Sequence, residues 1–187
     1  YALKTPHSQF LKDEVFRRRF EREIELVASL KHPNIIAIFH SGQTQDGHHF
    51  YVMDYVEGVP LHEYVRQNGL GMEQTLELFA TVCEAVNYAH RRGVIHRDLT
   101  PSNVLIDAFD QPRITDFGLA KVLGESLITK EAKTMGTVAY MSPEQARGEV
   151  VDQRSDIWSL GVVLYEMLTG QLPFRGDHDQ AVIYSIL

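Results

Sequence analysis

Three oxygen-bearing side chains in the middle of the chain could do chemistry together. The segment from His96 to Asn103 reads His-Arg-Asp-Leu-Thr-Pro-Ser-Asn, and Asp116 follows thirteen residues after Asn103 as the start of Asp-Phe-Gly. Carboxylate and carboxamide oxygens are the ligands that Mg²⁺ prefers, and a positioned carboxylate such as that of Asp98 can accept a proton. Either tripeptide alone, His-Arg-Asp or Asp-Phe-Gly, would be interpreted as an ordinary surface turn. Together, in this order and with two short apolar strands between them, they favour a functional site.

These segments resemble the catalytic loop and the Asp-Phe-Gly motif of the protein kinase superfamily. The resemblance implies that Asp98 orients a substrate hydroxyl and accepts its proton. It implies also that Asn103 and Asp116 bind the Mg²⁺ that accompanies ATP. A positioned acid or base of this kind is typically worth about 10²–10⁴-fold in rate.

Lys4 ends a Tyr-Ala-Leu-Lys segment that matches the kinase strand whose lysine contacts the nucleotide phosphates. Taken alone, a solvated lysine would be the default interpretation. Glu23 is its expected partner, because it shares a helix face with Phe20 and because an unpaired buried charge is costly. Glu21 and Glu25 are rivals for this role, but neither has apolar neighbours at both helical spacings.

Residues 50–58, Phe-Tyr-Val-Met-Asp-Tyr-Val-Glu-Gly, resemble the kinase hinge. The resemblance implies that one side chain closes the rear of the nucleotide pocket, that two backbone segments bond the adenine edge, and that two apolar side chains sandwich the ring. A plain core strand is compatible with the same residues. The expected ATP-binding residues are Met53 at the rear, Asp54 and Val56 at the edge, Ala2 and Leu105 around the ring, and Lys4 at the phosphates.

Residues 136–144 resemble the end of the kinase activation segment, with Ser-Pro-Glu in place of the usual Ala-Pro-Glu. Thr137 here and Pro101 in the catalytic loop are typical of serine/threonine rather than tyrosine kinases. The segment 116–144 carries hydroxyl groups that phosphorylation could modify, and Arg97 would then pair with the phosphate; unmodified hydroxyls are the alternative. The candidate sites are Ser126, Thr129 and Thr134.

The elements around these motifs predict an α+β, two-lobed protein-kinase-like fold, with a partial β-rich N-lobe and hinge over residues 1–56. A mainly α-helical partial C-lobe follows over residues 57–187, beginning with a connector at residues 57–60. Periodicity and turn signals predict helices at 13–31, 61–67, 74–92, 157–168 and 180–187, strands at 1–4, 35–39, 50–53, 104–106 and 113–115, and a hairpin turn at Asp46-Gly47.

Two structural roles are also implied by the resemblance. Asp156 would cap the backbone amides of the loop that contains His96, because a carboxylate accepts N–H hydrogen bonds well. His96 and Phe117 would stack in the core with Val27 and Ile38. The helix at 157–168 is apolar almost all round, which predicts a core helix.

Thr100 departs from the family pattern, because serine/threonine kinases usually carry lysine there, against the transferring phosphate. The absence of this lysine and of its positive charge predicts a lower turnover rate. The chain also begins after the place of the kinase glycine-rich loop and stops inside a predicted helix, as a piece of a longer protein would. The expected partner of Glu144 would then lie outside it.

Bulk composition restricts the remaining choices. The chain has 187 residues, a formal net charge of −7 and a single cysteine, Cys83, so no intrachain disulfide can form. The acidic balance argues against nucleic acid as a partner, and the apolar stretch at 157–168 is too short to span a bilayer. A cytoplasmic kinase domain is expected, with any membrane anchor outside this chain.

The leading interpretation is an ATP- and Mg²⁺-dependent kinase that phosphorylates serine or threonine on proteins, itself included through self-association. The residues 113–115 before Asp116 and the segment 168–174, Leu-Thr-Gly-Gln-Leu-Pro-Phe, resemble those of bacterial kinases of the eukaryotic-like type. One alternative is a pseudokinase that uses the fold as a scaffold, for which Thr100 is the supporting feature. Another is a small-molecule phosphotransferase, which the long segment ending in Ser-Pro-Glu disfavours because it shapes a surface for a peptide.

Overall fold

The computed structural model describes residues 1–5, 14–45, 47–117 and 137–187. The strands are β1 (Ala2–Lys4), β2 (Ile38–Gln43), β3 (His49–Met53), β4 (Gly58–Pro60), β5 (Val104–Asp107) and β6 (Pro112–Ile114). The helices are α1 (Glu14–Ala28), α2 (Leu61–Asn68), α3 (Met72–His90), α4 (Pro143–Arg147), α5 (Gln153–Thr169) and α6 (Asp179–Ile186). The predicted α+β class is confirmed. The candidate phosphorylation sites Ser126, Thr129 and Thr134 lie outside the described residues, and so does Asp46 of the predicted hairpin turn.

The first sheet is antiparallel, with the strand order β1-β3-β2. Side chains of β3 alternate between buried and half-buried, as the two-residue period of a strand requires. Its last residue, Met53, is 8% exposed and pairs with Ala2 of β1. The sheet therefore brings together two residues of the predicted nucleotide pocket.

The second sheet is antiparallel with the order β4-β5-β6, and it corrects the prediction that residues 57–60 only connect the lobes. Gly58 pairs with Asp107 and Pro60 with Leu105. A Cβ atom on Gly58 would lie 2.7 Å from the carbonyl oxygen of Ile106, so glycine permits the close approach of β4 to β5. Pro60 is tolerated because it ends an edge strand.

The strand predicted at residues 35–39 is wrong in position, since β2 begins only at Ile38. Ile35 instead forms a parallel bridge with Ile114 of β6, and the Ile36 amide donates to the Ile114 carbonyl at 2.9 Å. The buried Asn34 side chain adds a bond to the Pro112 carbonyl at 2.8 Å. The segment after α1 is thus held against the second sheet.

Helix α1 faces the core with Phe20, Ile24 and Val27, which are 1%, 2% and 4% exposed. It ends at Ala28, three residues before the predicted end, because the segment before Pro33 disfavours the helical conformation. Within the described residues, no helix is both long enough and apolar enough to cross a membrane.

Helix α5 only partly fits the prediction of a core helix. Ile157 and Tyr165 are 60% and 45% exposed, whereas Ser155, Asp156 and Ser159 on the same helix are buried. The polar side chains are buried because each has hydrogen-bond partners in the segments that carry the candidate site.

Candidate active site

The catalytic loop folds so that Asn103 turns back onto Asp98. The side-chain amide of Asn103 donates to the Asp98 carbonyl oxygen at 2.8 Å and to its carboxylate at 3.3 Å. The Asn103 backbone amide closes a turn on the Thr100 carbonyl at 3.0 Å. Because the amide nitrogen of Asn103 is engaged with Asp98, its side-chain oxygen is the atom left to act as a ligand.

Asp116 is brought to the same place by strands β5 and β6. The Thr115 amide donates to the Asn103 carbonyl at 2.9 Å, so Asp116 follows directly beside the loop. Its backbone is left-handed, with φ 60°, a conformation that is costly for a residue with a side chain and that is concentrated at functional sites. The structure therefore brings Asp98, Asn103 and Asp116 into one region.

His96 lies under this loop and is fully buried. Its Nε2 contacts the Thr115 carbonyl at 3.0 Å, and its Nδ1 accepts the Asp98 amide at 3.2 Å. A carbonyl can only accept and an amide N–H can only donate, so the ring is neutral with its proton on Nε2. Burial lowers the pKa of His96, which agrees with a neutral ring.

Acidification should weaken the fold through His96. The unfolded ring takes up a proton below its ordinary pKa of about 6.5, whereas burial lowers the pKa of the folded ring. Stability is therefore complete above pH 6.5 and falls below it, by at most about 1.4 kcal/mol per pH unit. Urea unfolding of His96→Phe from pH 7 to 5 should show a smaller dependence on pH than the wild type. The exposed-site variant His48→Asn should keep the wild-type slope, and equal slopes in all three proteins would contradict the prediction.

Asp156 of α5 caps the loop, as predicted. Its carboxylate accepts the backbone amides of His96 and Arg97, both at 2.8 Å, and the side chain of His90 at 2.7 Å. Burial alone would raise the pKa of Asp156, but the bonds from His90 and the two amides outweigh it and lower the pKa. The carboxylate is therefore charged, and it fixes the start of the catalytic loop.

The predicted apolar stack is also present. The rings of His96 and Phe117 lie 4.6 Å apart between centroids. Phe117, Val27 and Ile38 line the same small cavity of about 10 Å³, so the core beneath α1 is continuous with the core beneath the catalytic loop.

The predicted ion pair of Lys4 with Glu23 is replaced by two other pairs. The Lys4 ammonium contacts the Asp116 carboxylate, and Glu23 lies 3.6 Å from the Arg97 guanidinium. Of the three candidate glutamates on α1, Glu23 is half-buried, whereas Glu21 and Glu25 are exposed. Glu23 is thus the inward glutamate, as predicted, but the prediction that Lys4 is its partner is wrong: the cation beside Glu23 is Arg97.

The hinge residues show which backbone groups remain for a ligand. The Asp54 amide donates to the Ala37 carbonyl at 3.0 Å, and the Asp54 carboxylate accepts the Ala37 amide at 3.4 Å. The Asp54 carbonyl oxygen is thus the group that could meet an adenine edge. Val56 follows and is half-buried, while Leu105 lies in the second sheet opposite Pro60.

The segment after residue 136 is held against α5 by contacts that the sequence reasoning missed. Glu144, whose partner was expected outside the chain, accepts the Ser155 hydroxyl. The Tyr140 hydroxyl donates to Glu166 at 2.6 Å. Gln145 bonds the Arg97 carbonyl at 2.7 Å; the Ser-x-x-Gln spacing from Ser142 marks it as a capping box, a signal that was present in the sequence.

The motifs and the α+β fold point to one protein family. The chain matches the protein kinase domain family over residues 1–187, and it belongs to that family. It is 41% identical over 98% of its length to serine/threonine-protein kinase PknB of Mycobacterium leprae (strain TN), and it covers 30% of that relative. It is 42% identical over 94% of its length to serine/threonine-protein kinase PrkC of Bacillus subtilis (strain 168), and it covers 27% of that protein. The predicted kinship with bacterial serine/threonine kinases is confirmed, and the chain spans under a third of the length of these relatives.

Proposed function

We propose that this chain is the catalytic domain of a serine/threonine protein kinase, which transfers the γ-phosphate of ATP to hydroxyl groups of proteins. The observation that carries the proposal is the meeting of Asp98, Asn103 and Asp116 at one end of strands β5 and β6. The domain divides at the hinge, with residues 1–56 as the N-lobe part and 57–187 as the C-lobe part.

Asp98 is proposed as the group that orients the substrate hydroxyl. Its carboxylate is held by the Asn103 amide, which leaves it poised to accept a proton. The hydroxyl oxygen bonds to the γ-phosphorus, the bond from phosphorus to ADP breaks, and the proton passes to Asp98.

Asn103 and Asp116 fit a Mg²⁺ site, because an amide oxygen and a carboxylate are the oxygen donors that this ion prefers. Bound Mg²⁺ would neutralise charge on the phosphate oxygens. Lys4 now contacts Asp116, and both side chains are partly exposed, so the pair is weak. We infer that Lys4 exchanges this partner for the phosphates when nucleotide binds.

The nucleotide ring is proposed to lie between the two sheets. Met53 is buried at the rear beside Ala2, which suits an apolar ring. The hinge backbone at Asp54 and Val56 would bond its edge, and Leu105 would cover its other face.

Thr100 should limit the rate. Its side chain is buried beside the turn at Asn103 and supplies no positive charge to a transferring phosphate. Thr100→Lys should therefore raise kcat by roughly tenfold, which corresponds to about 1.4 kcal/mol of transition-state stabilisation. Ser102→Lys, which adds a lysine at an exposed position of the same loop, should leave kcat unchanged. No gain from Thr100→Lys would mean that the charge is not missed.

The function is tested by incubating the intact protein with labelled ATP and Mg²⁺, alone, with a protein acceptor and with small alcohols or antibiotics. Label on serine or threonine of protein supports the proposal. Self-association is supported if the protein labels itself at an initial rate that rises more steeply than in proportion to its concentration. Mg·ATP binding without transfer would favour the pseudokinase alternative, for which Thr100 speaks. Label on small acceptors alone would favour a small-molecule phosphotransferase.

We propose that the kinase domain works in the cytoplasm, where ATP and Mg²⁺ are supplied. The lone Cys83 suits a reducing compartment. Its partners are proteins that present serine or threonine; the net charge of −7 does not suit nucleic acid.

A further inference from the structure

The residue before the catalytic aspartate has an unfavourable backbone conformation. Arg97 has φ 65°, a left-handed value that residues with a side chain rarely adopt. Such a conformation persists only where the surroundings hold it in place. At Arg97 the holding groups are side chains from distant segments. Asp156 accepts its amide at 2.8 Å, and Gln145 donates to its carbonyl at 2.7 Å.

The Gln145 side chain is itself fixed. It is 3% exposed, and its Oε1 accepts the Ser142 backbone amide at 3.0 Å. Since the amide N–H of Ser142 can only donate and the Arg97 carbonyl can only accept, the orientation of the Gln145 carboxamide is set by its two partners.

Gln145 is connected to Asp98 by the single peptide group that joins Arg97 and Asp98. The peptide between Arg97 and Asp98 has its oxygen bonded by Gln145 and its N–H bonded by His96 Nδ1 at 3.2 Å. Both polar ends of this unit are therefore held, so it cannot rotate freely. The direction in which Asp98 projects its carboxylate depends on that rotation.

We propose that Gln145 is a positioning residue for phosphoryl transfer. It joins helix α4, which follows the segment ending in Ser142, to the peptide that aims Asp98, so the placement of α4 and the aim of the carboxylate change together. The inference rests on the proposed kinase function and deepens it. The Gln145 side chain is buried and bonded to Ser142 and Arg97, so it would act through the Arg97 carbonyl.

The test compares Gln145→Met, Gln145→Glu and Ser142→Ala in the intact protein. Methionine keeps the length of the side chain but cannot donate to Arg97. Glutamate keeps the acceptor for the Ser142 amide, but it turns a carboxylate oxygen towards the Arg97 carbonyl. Ser142→Ala removes the hydroxyl that accepts the backbone N–H of Gln145 at 3.3 Å, and it leaves the side-chain bond from Gln145 to Arg97 in place, so it is the matched control.

Both Gln145 variants should lower kcat by about 10- to 100-fold, the range that a misplaced catalytic group produces, with KM for ATP within about twofold of wild type. Ser142→Ala should lower the melting temperature while keeping kcat. A wild-type kcat in either folded Gln145 variant would overturn the inference. An equal fall of kcat in Ser142→Ala would overturn it too, because the effect would then follow the stability of the turn. A wild-type protein that transfers no phosphate would instead contradict the proposed function.

Discussion

Asp98→Asn should lower the rate of phosphate transfer by about 10²–10⁴-fold, the usual contribution of a positioned general base. Asparagine keeps the size of the side chain, and the Asn103 amide can still donate to the backbone carbonyl of residue 98, as it does at 2.8 Å. The loop should therefore keep its shape, while the atom that accepts the hydroxyl proton is lost. Initial rates of serine or threonine labelling measure the fall in the rate of phosphate transfer. Calorimetric titration with Mg·ATP should give a Kd within a few fold of wild type.

Asp107→Asn provides the matched control. Asp107 is the last residue of β5, and its carboxylate accepts the backbone amides of Phe109 and Gln111 at 2.9 and 3.0 Å, so it shapes a turn and not the catalytic loop. Its replacement should leave the rate unchanged. An Asp98→Asn protein that retains clearly more than roughly a hundredth of the wild-type rate would contradict the role of a general base, which is worth at least about a hundredfold.

Local motifs were enough to predict that Asp98, Asn103 and Asp116 lie close together, because the segments that carry them are near in sequence. Asp98 and Asn103 are five residues apart in one loop, and Asp116 is joined to them by a two-stranded hairpin, so spacing alone nearly determines their meeting. The same reasoning found the inward face of α1, because the helical period fixes which glutamate accompanies Phe20.

The ion pairs could not be predicted in the same way. Lys4 is more than a hundred residues from Asp116 in the chain, and several carboxylates compete for it. Which one it contacts depends on backbone details such as the φ of 60° at Asp116. The sequence established that Glu23 needed a cation, but not whether Lys4 or Arg97 would supply it.

The misplaced strand has a related cause. An apolar run beginning at Ile35 fits any buried extended segment, and periodicity does not say which sheet it joins. Ile35 and Ile36 bond to Ile114 of the second sheet, whereas Ile38 begins β2 in the first. The choice is made by partners that are distant in sequence.

Asp156→Ala should destabilise the fold by about 3–5 kcal/mol, because removing one member of a buried charged network leaves the others unpaired. Asp156 is fully buried, and its loss would strand the amides of His96 and Arg97 together with the His90 side chain. Urea unfolding at pH 7 measures the loss directly.

The dependence on pH gives an independent check of the same network. The pKa of Asp156 is lowered in the folded protein, so its contribution is complete above the ordinary aspartate pKa of about 3.9. It is lost as the pH falls through the lowered folded value. Asp156→Ala should therefore lack part of the acid-induced loss of stability that the wild type shows below about pH 4.

Asp152→Ala is the control for this change, because Asp152 caps α5, the helix that carries Asp156, through the Arg154 amide at 2.8 Å, and its side chain is 47% exposed. Its loss should cost much less than that of Asp156, since water can replace the cap. Equal losses in the two variants would mean that the buried Asp156 carboxylate contributes no more to stability than a half-exposed helix cap. A clear excess for Asp156 would mean that the catalytic loop depends on a charge held inside the domain, which is why polar residues occupy the buried side of α5.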